Sequence, residues 1–220
     1  MEAMRELQKT VARLRAPGGC PWDQEQTHQS LAACLIEECC EVLDALDSGD
    51  MANLKEELGD LLLQVVQHAQ MAEEQGEFDL AKVATGINEK LIRRHPHVFG
   101  GKPVADTAKV LHQWDAIKAA EKKASGVQDN RVFKNLPACL PALLFACEVF
   151  KQMDKKQLPA GDWVDARRVV RKAEGLDEHC AGRQLFELVA ACRHSGIDPE
   201  SALRRYVRNL MADVEKRILA

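Results

Sequence analysis

Apolar residues recur at three- and four-residue steps along this 220-residue chain, and runs that alternate β-branched with polar residues are absent. That periodicity restricts the fold to the all-α class, a set of helical bundles whose breaks should fall at glycine and proline. The first helix carries Leu7, Val11 and Leu14 and stops at "APGGCPWD". The second covers roughly 29 to 47 and ends at "DSGD", where Gly49 suits a left-handed C-terminal turn. The third runs from about 51 to 75, and the fourth, near 79 to 94, halts before Pro96 because a residue preceding proline avoids helical geometry. "GGKPVADT" reads as a loop, and Asp106 as the N-cap of a helix with Val110, Trp114 and Ile117 that ends at Gly126. After the linker-like "SGVQDNRVFKNLP" come helices near 139 to 157, 163 to 174, 177 to 194 and 199 to 218.

The two halves resemble each other. Laying "KEELGDLLLQVV" (55 to 66) over "EHCAGRQLFELV" (178 to 189) at an offset of 123 places Gly59 on Gly182, Leu62 on Leu185, Leu63 on Phe186 and Val66 on Val189. Trp22 finds a counterpart in Trp163. The interval from Trp22 to Gly59 is 37 residues but that from Trp163 to Gly182 only 19, so much of one helix is missing from the second half. The expectation is a helical domain at 1–124, a linker at 125–137, and a degenerate tandem copy at 138–220.

Hydrophobic residues make up 46% and charged residues 29%, which is enough apolar material for a folded core. A net charge of -4 weakly disfavours nucleic acid as a partner. No apolar run is long enough for a membrane span, and the N-terminus is amphipathic where a signal peptide would be continuously apolar, so no membrane partner and a cytoplasmic location are expected. Eight cysteines occur without a CxxC pair. Cys34, Cys39, Cys40, Cys147, Cys180 and Cys192 fall inside helical patterns and are expected to be buried free thiols acting as small hydrophobes.

Acidic residues interrupt the apolar pattern at defined angles. Relative to Glu38, Leu31, Val42, Leu35, Cys34 and Ala45 all lie within about 60 degrees around the helix, with Glu41 at the edge of that arc and Glu37 toward the polar side. On the next helix Leu54, Leu61, His68 and Met71 lie within about 60 degrees of Glu57, with Asp60 at the edge. An ExxE step on one helix and an ExxD step on the next would thus turn four carboxylates toward one partly buried space, which is costly unless a cation neutralises them. Oxygen-only ligands select hard divalent ions, Mg²⁺ or Mn²⁺. The competing reading, a solvated helix face, is weakened by the inward angles. A di-iron bundle would require Glu-x-x-His, which neither helix has.

The fourth helix, "INEKLIRRHPHVFG", carries Leu80, Val83, Ile87 and Leu91 as its apolar stripe, with Lys90 and Arg94 four residues apart on a face bordering it and Arg93 beside them. Clustered cations near a metal site suit a polyphosphate. The plainer alternative is that they balance the negative end of the helix dipole. His95 and His97 flank a proline and could ligate a metal, but they read first as a polar pair that terminates the helix.

Together "GCPWDQEQTH", "EECCE" at 37–41, "EELGD" at 56–60 and "EKLIRRHPHVFG" resemble the MazG family of nucleoside triphosphate pyrophosphohydrolases, whose pattern EExxE followed by ExxD is filled here by Glu37, Glu38, Glu41, Glu57 and Asp60. The resemblance covers about residues 3 to 122. It implies that Glu38, Glu41, Glu57 and Asp60 hold Mg²⁺ and that Glu37 orients or deprotonates water. It also implies that Lys90, Arg93 and Arg94 contact the phosphates of a nucleoside triphosphate, which is cut to the monophosphate and pyrophosphate. A dimer or higher homo-oligomer is implied as well. Trp114 or Trp22 could stack on the base, or could simply be core aromatics. In the second half Cys180 stands at the Glu57 position and Arg183 at the Asp60 position, so that half should not hold the metal. A helical bundle that binds nucleotide or a partner protein without turnover is the alternative reading.

Overall fold

The computed structural model describes residues 2–101, 106–124, 126, 131–159 and 161–219; parts of the "GGKPVADT" loop and of the expected linker lie outside them. Helices account for the regular structure, and no strand occurs among the described residues. The chain divides into two compact units, Met1–Gly126 and Val127–Ala220.

The first unit holds α1 (Glu2–Arg15), α2 (Pro21–Glu25), α3 (Ala32–Ser48), α4 (Met51–Glu74), α5 (Leu80–Arg94), α6 (Pro96–Phe99) and α7 (Thr107–Ala124). The two shortest, α2 and α6, were not expected. Each opens on a proline, whose fixed φ and missing N–H suit a first helical position, and each is too brief to show a period.

α3 and α4 form a hairpin that is the centre of this unit. Gly49 ends α3 at φ 69°, a left-handed conformation that other residues adopt with strain. Asp50 then caps α4, its carboxylate accepting from the N–H groups of Ala52 and Asn53. The C-terminal half of α4 buries Val66, Ala69, Met71 and Ala72, against which α1 packs Val11. Arg15 fastens this end: it bonds Glu74 at 2.8 Å and the Asp23 carbonyl at 2.5 Å, joining α1, α2 and α4. α5 behaves differently, because its predicted stripe is half-buried at Leu80 but exposed at Val83, Ile87 and Leu91, and no α5 residue is buried within the chain.

The second unit contains α8 (Ala142–Lys156), a 3-10 turn at Gly161–Trp163, α9 (Ala166–Ala173), α10 (Glu178–His194) and α11 (Pro199–Leu219). Its core lies between α8 and α11 and consists of Phe133, Phe145, Val149, Met153, Val207, Leu210 and Val214. Phe133, in the stretch joining the two sequence halves, is among the most deeply buried residues of this core. Asp198 caps α11, accepting from the N–H groups of Glu200 and Ser201.

Positions aligned by the sequence offset differ in burial. Val66 is 1% exposed, whereas its counterpart Val189 is 45% exposed and Phe186, opposite half-buried Leu63, is 74% exposed. In the first unit α1 packs on the side of α4 that carries Val66, whereas α10 leaves Leu185, Phe186 and Val189 exposed.

The expectation of buried thiols needs correction. Cys39, Cys40 and Cys147 are exposed, while Cys34, Cys180 and Cys192 are partly covered; all eight cysteines are free. Cys39 and Cys40 lie on the sides of α3 turned from α4, so a helical pattern alone overstated their burial.

Candidate active site

The hairpin turn fixes the relation of α3 to α4 and brings Glu38, Glu41 and Glu57 together. One carboxylate oxygen from each lies within 4.8 Å of the others. Glu38 and Glu57 are half-buried and Glu41 is exposed, in agreement with the helical angles that turned Glu38 and Glu57 inward and set Glu41 at the edge. Glu41 is within hydrogen-bonding reach of both other carboxylates.

Electrostatics follow from this crowding. Partial desolvation first, then the charges of Asp60 and Glu41, raise the pKa of Glu38 above the ordinary carboxylate value. Desolvation, then Glu41 and Asp60, do the same for Glu57. Asp60 therefore belongs to the same field, although it is not one of the three converging groups. Exposed Glu37 also stands outside the trio.

Gln64 was not anticipated. One α-helical turn beyond Asp60, it is 5% exposed and lies close enough to Glu38 to lower that carboxyl's pKa against the larger raising effects, while its Oε1 has no partner. The signal was in the sequence: seven residues after Glu57 is about 20 degrees from it around the helix. One turn further, His68 stacks on His28 with ring centroids 5.1 Å apart and Nδ1 atoms 2.8 Å apart. Burial and then the His28 charge lower the pKa of His68.

The donor set suits a hard divalent cation: all its atoms are carboxylate oxygens, they converge, and their mutual repulsion is only partly offset by Gln64. Among the described residues no histidine or cysteine joins the trio.

Cations gather where α5 ends and α7 crosses it. Arg93 and Arg94 both bind Glu121 of α7, the first through Nε at 2.5 Å and the second through Nε and Nη2 at 3.1 and 2.8 Å. Those two guanidinium groups hold the Glu121 carboxyl at a pKa of about 2. Lys90 is exposed. Trp114, one helical face with Glu121, is half-buried, with the His95 ring edge-on at 4.6 Å and the Lys118 ammonium 6.0 Å from its centroid. Trp22 is exposed on α2. His95 closes α5, its Nδ1 2.6 Å from the Leu91 carbonyl oxygen, in keeping with a helix-terminating role.

The pattern that describes the MazG nucleotide pyrophosphohydrolase domain matches residues 26–99. Across 96% of its length the chain is 41% identical to the nucleoside triphosphate pyrophosphohydrolase/pyrophosphatase MazG of Thermotoga maritima, of which it covers 84%. The chain belongs to the MazG family. It is also 39% identical to the nucleoside triphosphate pyrophosphohydrolase of Escherichia coli K12, over 93% of this chain and 83% of that one. With the nucleoside triphosphate pyrophosphohydrolase of Mycobacterium tuberculosis it shares 43% identity over 67% of its own length and 44% of the other. The MazG match runs from before α3 to the end of α6, so it takes in every acid of the cluster and Lys90, Arg93 and Arg94. Trp114 and Glu121 lie beyond it.

Proposed function

We propose that this MazG-family protein is a Mg²⁺-dependent nucleoside triphosphate pyrophosphohydrolase whose active site is formed in the Met1–Gly126 unit. The observation that carries the reading is the convergence of Glu38, Glu41 and Glu57 to within 4.8 Å on two facing helices, with the carboxyls of Glu38 and Glu57 pushed up by desolvation and by their neighbours. Like charges held this way destabilise a fold, and a site that binds a cation accounts for them.

In this reading Glu38, Glu41, Glu57 and Asp60 hold Mg²⁺, with Mn²⁺ as a competent substitute. Bound there, the ion supplies charge neutralisation at the phosphates and lowers the pKa of water. Glu37, at the solvent edge of α3, orients the attacking water and takes its proton. Water oxygen attacks the α-phosphorus, the bond to the α,β-bridging oxygen breaks, and pyrophosphate leaves with the electron pair, giving nucleoside monophosphate.

Lys90, Arg93 and Arg94 receive the β- and γ-phosphates. The three stand in the last two turns of α5, and in this reading the triphosphate has to bridge them to the acidic hairpin. Trp114 supplies a face for the base, with Lys118 beside it.

Degeneration of the second unit fits the same assignment, because Cys180 and Arg183 stand where Glu57 and Asp60 stand in the first. The exposed stripe Val83, Ile87 and Leu91, with exposed Ile36, Leu43 and Leu58 on the hairpin, supports a homodimer as the working form. No helix among the described residues is long and apolar enough to cross a membrane; a cytoplasmic location is part of the proposal.

The test is a panel of ribo- and deoxyribonucleoside triphosphates with Mg²⁺, resolving monophosphate plus pyrophosphate from diphosphate plus phosphate. Release of diphosphate, or turnover undiminished in Glu38→Gln, refutes it.

A further inference from the structure

Resting on the activity just described, we propose that Glu121 is the positioning residue that sets Arg93 and Arg94 for the triphosphate. Two arginines adjacent in sequence start about 100 degrees apart around α5, so their guanidinium groups do not share a target by default. Arg93 is half exposed and both side chains are long, which makes an unrestrained pair costly to order on a ligand. Glu121 brings them to a single carboxylate, one oxygen to each: Oε1 to Arg93 and Oε2 to Arg94.

The edges used matter. A guanidinium carries five N–H groups in a planar fork. Arg93 gives its Nε to Glu121, and Arg94 its Nε and one Nη2 hydrogen. Both Nη1 groups are left uncommitted to Glu121, and these suit forked bonds to phosphate oxygens. A lysine at either position would supply charge without that division of donors.

Placement on α7 gives the acid a second role. Trp114, Lys118 and Glu121 follow at steps of four and three residues and so share one face. The ring of His95, next in sequence to Arg94, packs edge-on against Trp114 of that same face. The acid that orders the cations is thereby borne on the helix that carries the aromatic ring. Its carboxyl, with a pKa of about 2, is ionised throughout the working pH range, so the clasp is always charged. Two arginines and one carboxylate leave the group with one net positive charge, which a triphosphate still seeks.

Three proteins are compared, wild type, Glu121→Gln and Glu121→Asp, using the triphosphate cleaved fastest in the panel and tripolyphosphate as a base-free competitor. Positioning predicts that Glu121→Gln raises KM and the tripolyphosphate inhibition constant together, by roughly five- to tenfold, while kcat changes less than about threefold. Glu121→Asp, which keeps the charge but has a shorter reach, should fall between the two. Unchanged constants in both variants overturn the proposal, as does a lowered KM, which would mean that Glu121 competes with the phosphates. If circular dichroism shows Glu121→Gln unfolded, Glu121→Asp alone decides. If the wild type cleaves no triphosphate, the activity reading fails by itself, and calorimetric binding of tripolyphosphate to the same proteins still tests the clasp.

Discussion

Replacing Glu57 by glutamine should separate stability from function. In metal-free protein the Glu57 carboxylate is held half-buried against Glu41 and Asp60, so Glu57→Gln removes a repulsion and should leave the melting temperature equal to or above that of wild type. Added Mg²⁺ should reverse the order. Octahedral Mg²⁺ at about 2.1 Å places its oxygens roughly 3 to 4.2 Å apart. Carboxylate oxygens already within 4.8 Å of one another reach that spacing with about 1 Å of movement or less per side chain. At a concentration a hundred times Kd, an ion that binds only the folded state stabilises it by about 2.7 kcal/mol, or roughly 5 to 10 °C for a chain of this size. Differential scanning fluorimetry with EDTA and then across a Mg²⁺ series measures both effects. Wild type should show the full rise and Glu57→Gln little or none, with turnover reduced at least about a hundredfold. pH gives an internal check. The raised pKa values of Glu38 and Glu57 mean that metal-free protein gains stability as pH falls from neutral through them, complete below the ordinary 4.5. A variant that melts lower than wild type in EDTA, or keeps the whole Mg²⁺ shift, refutes the reasoning.

Other outcomes follow from the same structure. His68 is neutral in the fold with a pKa below 6.5, so the unfolded chain takes up that proton first; stability should be lost as pH drops from above 6.5 to the lowered value. His68→Gln should remove that portion, read as the difference from wild type in melting temperature at pH 7.5 and 5.5. Phe133→Ala empties a site 2% exposed at the centre of the second unit and should cost about 3 to 5 kcal/mol there. Calorimetry should then show an early transition, with triphosphate turnover retained below it. Arg183→Asp, on an exposed face, should change turnover by less than about twofold.

The long helices were legible because their caps are chemical: Gly49, Asp50, Asp106 and Asp198 mark ends that the chain observes. The inward angles of Glu38 and Glu57 followed from the 3.6-residue repeat alone. What escaped was of two kinds. α2 and α6 are shorter than one hydrophobic period. The Glu121 clasp and the His28–His68 stack join residues far apart in sequence, and no local pattern encodes such a meeting. The exposed stripe of α5 marks a further boundary, since periodicity states which face is apolar but not whether the same chain supplies its cover.

The turn at Ser48, Gly49 and Asp50 also limits how this gene can change length. Inserting one residue into either helix between Glu41 and Glu57 rotates the following carboxylates by about 100 degrees and carries one partner out of the trio. Lengthening is tolerable only in near-whole turns, about seven residues shared between the two arms, because only then do the acids come back into register. Natural variation in the spacing of this hairpin should therefore come in steps, with the glycine and its capping aspartate travelling as a unit.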